Sequence, residues 1–484
     1  MWGNSGVLLS APLANGIFYR VVPDGEAGAI VLWGASSGSY VQRVNFLGSK
    51  VWGFSGVEYA PGNPASATAS KVGSHYGIHD LLPLAGGALI AFRKTGTLDF
   101  DIFIQKVDPS GVIQWGANGV TVCNAAGLQF NPLIVSDTES GAIIAWVDDR
   151  IGTRSIYAQR VNFLGTPLWT ANGVLICTAT GNRGQLVMVS DDAGGAVIGW
   201  VDLRNAWQDV YAQRVDASGV PQWTTNGEPV AVLASNQTAL SMAGNDQGGA
   251  YLAWTDTRLP QTEDIEVFGQ LMDFDGIARW GANGLRLTNE SAGLLTSPST
   301  YAARDGAGGV IVAYTTLGTS RGVRVLNADT AGTVLWDLAP TDPSIPSHKP
   351  VIVEADAGGA IVAWEDLRGV GPRSVYAQKL PMAPTATTGM PASSGLDLSL
   401  FPNPFSNETQ IRFVLPTASD VRVDVHDVRG RRVASRHYDK LASGEQSIEL
   451  DWRGHHGAAL SSGLYFVRVS AAGRSATRKL VVAN

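Results

Sequence analysis

One phrase recurs along this chain: Ser-Asp-x-x-Gly-Gly-Ala, a short apolar run, Trp-x-Asp-x-Arg, then Tyr-Ala-Gln-Arg-Val. Its cleanest copies start at Asp137, Asp191 and Asp246. The residue after the glycines marks seven copies, at Ala29, Ala88, Ala142, Ala196, Ala250, Val310 and Ala360, spaced by 59, 54, 54, 54, 60 and 50 residues. A period of this size restricts the fold to stacked or ring-closed units, because one unit cannot bury its own apolar face. Within a unit, "GGAVIGW" (194–200) reads as a strand covered on both faces, and "DVYAQRV" (209–215) as an alternating strand. "DASGVPQW" (216–223) reads as a hairpin turn into a short strand, with "NGEPVAVL" (226–233) and "ALSMAGND" (239–246) as further extended pieces. Four short strands per unit match a propeller blade, and no sustained 3.6-residue period supports helical repeats.

A tryptophan ends the hairpin at Trp52, Trp115, Trp169, Trp223, Trp280 and Trp336, so six of the seven copies own one. The seventh, through "SVYAQKL" (374–380), enters a Pro/Thr/Ser-rich stretch first. At the other end of the chain "WGNSGV", Trp2 to Val7, matches "WGANGV" at 115–120. The expectation is an all-β fold: a seven-bladed β-propeller over residues 1–380, closed by its N-terminal segment, which hides the edges of an open array. Residues 381–395, "PMAPTATTGMPASSG", are a linker by composition. Residues 396–484 show strands with turns at about ten-residue intervals, the pattern of a small β-sandwich.

Composition narrows the function classes. Of 484 residues, 45% are hydrophobic and 16% charged, which excludes a disordered chain. No apolar run is long enough for a transmembrane helix. Two cysteines cannot build a disulfide framework. Residues 1–395 hold 23 Lys and Arg against 33 Asp and Glu, whereas residues 396–484 hold 12 against 9. An acidic repeat region repels phosphate backbones, so nucleic acid is not an expected partner.

The repeated residues read as structural. Trp146, Trp200, Trp254 and Trp364 end the apolar strand, with Trp33, Phe92 and Tyr314 in the degenerate copies, and imply packing between blades. The pairs Asp148/Arg150, Asp202/Arg204, Asp256/Arg258 and Asp366/Arg368 suit turn capping and ion pairing. Gln42, Gln105, Gln159, Gln213, Gln270 and Gln378 imply buried amides with hydrogen-bond partners. The Asp-x-x-Gly-Gly corners, such as Asp191 to Gly195, lack the alternating carboxylates of a calcium loop and read as tight turns. Cys123 and Cys177 share one repeat position. Equivalent residues of adjacent blades approach disulfide distance only near the axis, so two buried thiols are expected.

Specific function is expected where the repeat is broken. Three departures stand out: 59–79, 204–209 and 257–264. Trp207, in the second, belongs to no repeat position and is the candidate binding residue. His75 and His79 lie four apart with no third ligand, and read as surface-loop residues rather than a metal site. No nucleophile elbow, His-Glu-x-x-His or phosphate loop is present, so no catalytic residue, metal or cofactor is assigned.

The tail carries Pro402-Asn403-Pro404-Phe405, a strand ending Leu415-Pro416, an Asp-x-x-Gly-Arg turn from Asp427 to Gly430, Trp452 with Gly454, Ser462-Gly463-Leu464-Tyr465-Phe466, and Thr477-Arg478-Lys479-Leu480. In these motifs residues 396–484 resemble the C-terminal sorting domain of type IX secretion substrates and the related immunoglobulin-like domain of the FlgD flagellar hook-capping family. His455-His456 departs from the family pattern in a turn. The resemblance implies an immunoglobulin-like fold, the secretion machinery as a partner, and export to the medium or outer cell surface. Met1 to Gly16 lacks the basic start and apolar core of an export signal, so a short upstream leader is expected. The chain thus reads as a secreted or cell-surface propeller that binds a glycan or cell-envelope partner. The alternative is an extracellular polysaccharide-acting enzyme, glycosidase or lyase, and a structural surface-layer protein is third.

Overall fold

The apolar run of each repeat forms the second strand of an antiparallel meander. The computed structural model describes residues 17–26, 28–34, 38–45, 47–61, 79–95, 100–181, 183–258, 265–288, 299–316, 322–341, 347–354, 359–366, 374–380, 399–401, 409–415, 417–427, 431–450, 463–471 and 474–482. The chain divides into two compact units, residues 1–384 and 385–484.

In the first unit, sheet one contains β1 (Ile17–Pro23), β2 (Ala29–Gly34), β3 (Gly38–Val44) and β4 (Val57–Pro61). Sheet two contains β5 (His79–Pro83), β6 (Ala88–Thr95), β7 (Phe100–Val107) and β8 (Val120–Cys123). Sheet three is β9 (Gln129–Ser136), β10 (Ala142–Asp148), β11 (Ser155–Val161) and β12 (Val174–Cys177). Sheet four is β13 (Arg183–Ser190), β14 (Ala196–Asp202), β15 (Asp209–Val215) and β16 (Glu228–Ala231). Sheet five is β17 (Gln237–Gly244), β18 (Ala250–Asp256), β19 (Glu266–Met272) and β20 (Leu285–Arg286). Sheet six is β21 (Thr300–Arg304), β22 (Val310–Thr316), β23 (Gly322–Ala328) and β24 (Val334–Leu338). Sheet seven has three described strands, β25 (Ser347–Glu354), β26 (Ala360–Asp366) and β27 (Ser374–Leu380). The short strand expected within 216–223 reduces to a single bridge, Val215 to Pro221, because the turn leads straight to Trp223 and the pairing resumes at β16.

The second strands are buried on both faces, as continuous apolar runs require. Six apolar cores result, each shared by two consecutive sheets. The first strand of every sheet packs on the first strand of the next, from β1 through β25. These innermost strands therefore form one continuous wall, and the sheets have the up-and-down order of propeller blades.

The seams are set by tryptophan on glycine. The indole of Trp169 donates through Nε1 to the carbonyl of Ala217 in the next repeat (3.0 Å), and a Cβ on Gly219, beside it, would meet that indole at 2.8 Å. The same pairing joins Trp52 to Gly111, Trp115 to Gly165, Trp223 to Gly276 and Trp280 to Gly332. Each of these five hairpin tryptophans is thus seated in its neighbour's turn, where only glycine leaves room.

Sheet seven differs. Gln42, Gln105, Gln159, Gln213 and Gln270 are fully buried, but Gln378 is exposed, together with Ala377 and Lys379. The reason is local: among the described residues nothing covers the outer edge of β27, where the other sheets have a fourth strand. Among the described residues no apolar core joins sheet seven to sheet one either, and Val351, Val353 and Ile361 are exposed. The segment Trp2 to Val7, expected to fill this edge, lies outside the described residues.

The second unit is two facing sheets. One contains β28 (Ser399–Phe401), β29 (Thr409–Leu415) and β32 (Gly444–Leu450). The other contains β30 (Ser419–Asp427), β31 (Arg432–Leu441), β33 (Gly463–Ala471) and β34 (Arg474–Val482), in the order β31-β30-β33-β34. Ile411, Phe413 and Ile448 from the first meet Val421, Val423, Val467 and Leu480 from the second in one core, which makes the unit a β-sandwich. Pro402 to Phe405, Trp452, Gly454 and His455-His456 lie outside the described residues.

Gly219 and Gly116 separate two costs of adding a methyl group. Both have positive φ, +84° and +68°, but nothing lies within 4 Å of a Cβ built on Gly116. Gly116→Ala should lose only the backbone term of about 1–2 kcal/mol. Gly219→Ala should lose a further ~1–3 kcal/mol from overpacking against Trp169. Denaturant melts of the two variants measure the difference, and equal losses would disprove the seam.

Candidate functional site

Most charged groups of the repeats serve the fold. In the Trp-x-Asp-x-Arg phrase, Trp146 Nε1 donates to Asp148 Oδ2 (2.8 Å), and Asp148 Oδ1 accepts the amide of Arg150 (2.9 Å). The Arg150 guanidinium pairs with the same carboxylate, lies 3.8 Å over the Tyr157 ring and donates to the carbonyl of Asn172. Asp202/Arg204 over Tyr211 and Asp256/Arg258 over Phe268 repeat the arrangement. All three carboxylates are fully buried, so they are structural anchors.

At the opposite end of the sheets stand the Asp-x-x-Gly-Gly corners. Asp191 Oδ1 accepts the amides of Ala193 (2.9 Å) and Gly195 (2.7 Å), and its Oδ2 accepts Arg214 Nε (2.9 Å). Asp24 with Arg43 and Asp137 with Arg160 are built alike. The corners are turns with a buried ion pair. Cys123 and Cys177 are buried free thiols, and burial pushes the Cys123 thiol up to about 11.

The departure at 204–209 joins the second to the third strand of sheet four, which in an up-and-down meander lies at the end opposite the corners. Residues 62–78 and 259–264, which make up most of the other two departures, lie outside the described residues. Of the twelve described tryptophans, nine are buried and two half-buried; Trp207 alone is exposed, at 43%. Leu203 and Ile151, in equivalent connections of neighbouring sheets, are exposed too. In the same connection as Trp207, Asn205 donates from Nδ2 to Asp209 Oδ2 (3.1 Å) and to the Tyr211 hydroxyl (3.0 Å), which holds the loop.

His79 corrects the sequence reading. It is not a surface-loop residue: it opens β5, is 4% exposed, stacks on Phe92 and shares a 2.9 Å hydrogen bond through Nδ1 with the Tyr59 hydroxyl. Pairing of β5 with β6 draws it inward, opposite Phe92. Burial, with the charge of Arg93, holds its pKa down at about 3. His75 lies outside the described residues.

A group that the sequence reading missed lies on the innermost strands. Register places Arg20, Asp80, Leu133, Val187, Ser241, Tyr301 and Val351 at one level, each opposite the fourth residue of its second strand. Leu133, Val187 and Val351 are aliphatic and Ser241 is a buried hydroxyl bonded to Thr300, whereas Arg20, Asp80 and Tyr301 carry ionisable groups. Arg20 Nε lies 3.1 Å from Asp80 Oδ1, and Asp80 Oδ2 accepts the amide of Ile134 in sheet three (3.0 Å). Burial raises the Tyr301 pKa, and the charge of Arg20 opposes that rise. Aligning first strands rather than loops would have exposed the signal: charge where sister repeats carry Leu or Val.

These features define a protein of propeller-type repeats with a β-sandwich tail. Residues 399–483 of that tail match the family described as the secretion system C-terminal sorting domain, and such a tail addresses its carrier for secretion. No curated protein matches the chain. Among solved structures the chain is similar to an alpha-L-arabinanase of Penicillium chrysogenum complexed with arabinobiose, at 14% identity over 62% of this chain and 92% of that one, with a TM-score of 0.37. It is also similar to the polysaccharide lyase Uly1, at 12% identity over 77% and 90%, with a TM-score of 0.47. A PL25 ulvan lyase matches at 8% identity over 78% and 93%, with a TM-score of 0.46.

His79 gives a pH prediction. Its folded pKa lies below the unfolded value of 6.5, so its contribution to stability is present above pH 6.5 and lost as pH falls toward about 3. The loss approaches ~1.4 kcal/mol per pH unit inside that window. His79→Gln should flatten this limb in denaturant melts from pH 7 to pH 4, and parallel profiles for the two proteins would refute the assignment.

Proposed function

We propose that residues 1–380 form a seven-bladed propeller closed by Trp2 to Val7, and that an immunoglobulin-like tail exports it. The support for closure is the hairpin pattern. Gln213 Oε1 accepts the amide of Trp223 (2.8 Å) and its Nε2 donates to the carbonyl of Thr224 (2.9 Å); Gln42 does the same with Trp52 and Gly53. Trp2-Gly3 repeats the pair Trp52-Gly53, and exposed Gln378 stands where its partner belongs. Gly48 of the first repeat stands where Gly111 meets Trp52, ready for the same indole.

The exported ring acts on extracellular or envelope glycans by binding them at the loop-bearing end. The observation that carries this reading is Trp207, an indole with no role in the seams, exposed in the same connection as Leu203. An exposed aromatic suits the apolar face of a sugar ring. The second reading, a polysaccharide-acting glycosidase or lyase, is favoured by ionisable Asp80 and Tyr301 on the inner wall.

Trp207→Ala should weaken retention on a polysaccharide affinity gel about tenfold without moving the thermal midpoint; unchanged retention would remove the loop end from the site. Turnover on a polysaccharide panel would favour the enzyme reading. Removal of residues 399–484 should hold the protein inside its native host, and normal appearance in the medium would refute export by the tail. Deletion of residues 1–10 should lower the thermal midpoint, and Gln378→Leu should lower it less; an unmoved midpoint for the deletion would argue for an open array.

A further inference from the structure

We infer that the polar arc of the innermost strands, Tyr301, Arg20 and Asp80, is a binding site for an oxyanion carried on a sugar, a carboxylate or a sulfate. This rests on the proposed glycan reading and on ring closure, and it names the class of glycan.

Three observations converge. The level containing these residues is apolar in sheets three, four and seven, through Leu133, Val187 and Val351, so packing does not demand charge there. Sheets six, seven, one and two are consecutive once the ring closes, which makes Tyr301, Val351, Arg20 and Asp80 one contiguous arc facing Leu133, Val187 and the buried hydroxyl of Ser241. Finally, the ion pair is made in a particular way. Asp80 is 5% exposed and fixed by the Ile134 amide, and it engages Arg20 at Nε. Among the described residues Arg20 has no other ion-pair partner, and its side chain is 53% exposed. Asp80 Oδ1 accepts no hydrogen bond from the described residues although Arg20 Nε lies 3.1 Å away, so the guanidinium is held by charge alone and keeps its donors for a carboxylate or sulfate. Asp80 is then a positioning residue: its charge holds the guanidinium in place, and it does not touch the ligand. Tyr301 contributes a hydroxyl to the same ligand from across sheet seven. A purely structural ion pair would bury the guanidinium, as Arg43, Arg160 and Arg214 are buried at the corners.

Isothermal titration of the full chain with tetragalacturonate, a κ-carrageenan tetrasaccharide and cellotetraose tests the site, and separates carboxylate from sulfate from neutral sugar. At least one anionic probe should bind tenfold or more tighter than cellotetraose. Arg20→Gln should remove that preference, Arg20→Lys should keep part of it, and Tyr301→Phe should weaken the anionic probe three- to fivefold. Because Arg20→Gln strands a buried carboxylate, Arg20→Gln/Asp80→Asn serves as the second variant, with thermal midpoints measured for both. The inference is overturned if neither anionic probe binds the wild type better than cellotetraose, or if well-folded double variant keeps the preference. Trp207→Ala should lower all three affinities together. Cellotetraose binding that depends on Trp207, without any anionic preference, would retain the glycan reading and sink this one.

Discussion

The repeat unit depends on an indole resting where a side chain has been removed. Each hairpin tryptophan from Trp52 to Trp280 sits on a glycine of the following repeat, and a second set sits on a glycine of its own repeat: Trp33 on Gly56, Phe92 on Gly119, Trp146 on Gly173, Trp200 on Gly227 and Trp254 on Gly284. The abundance of glycine and of tryptophan in this chain is therefore one feature. An indole buries roughly 150–250 Å² when covered, which is worth several kcal/mol of transfer free energy per seam. A Cβ in its path converts that gain into strain. The contact is directional, since a repeat's tryptophan reaches only its successor, and this direction is what orders the sheets.

Charge in the repeats is subordinate to that packing. The corner carboxylate spends one oxygen on two backbone amides and the other on an arginine of the third strand. Sheet five shows that the pair acts as a unit: Asn245 replaces the aspartate and Leu271 the arginine, and Asn245 still accepts the amides of Gln247 and Gly249. In sheet six Asn327 donates to Asp305 instead (2.9 Å). Sheet five thereby avoids a charge buried alone, which costs several kcal/mol, whereas sheet six keeps Asp305 buried with an amide in place of the guanidinium.

The two ends of the sheets have divided tasks. The corner end is held by Asx turns and ion pairs. The other end carries the exposed Trp207, and the inner wall between them carries Arg20, Asp80 and Tyr301. Seams and corners secure the scaffold without these positions, and the proposed recognition is therefore placed there and not in the repeated carboxylates.

The sequence by itself determined the repeat length, the strand types, the turn chemistry and the tail, because each rests on contacts within about 54 residues or on a local motif. Trp207 was also legible, as an indole outside every repeat position. The burial of His79 was not: it follows from Tyr59 and Phe92, which reach it across a connection and a strand pair. The inner level was hidden for a related reason. Arg20 and Asp80 lie sixty residues apart and Tyr301 far beyond both, and only strand register sets them at one height. Tertiary structure decided which residues meet, since a side chain's partners across a seam are fixed by how sheets stack and by no property of its sequence neighbours.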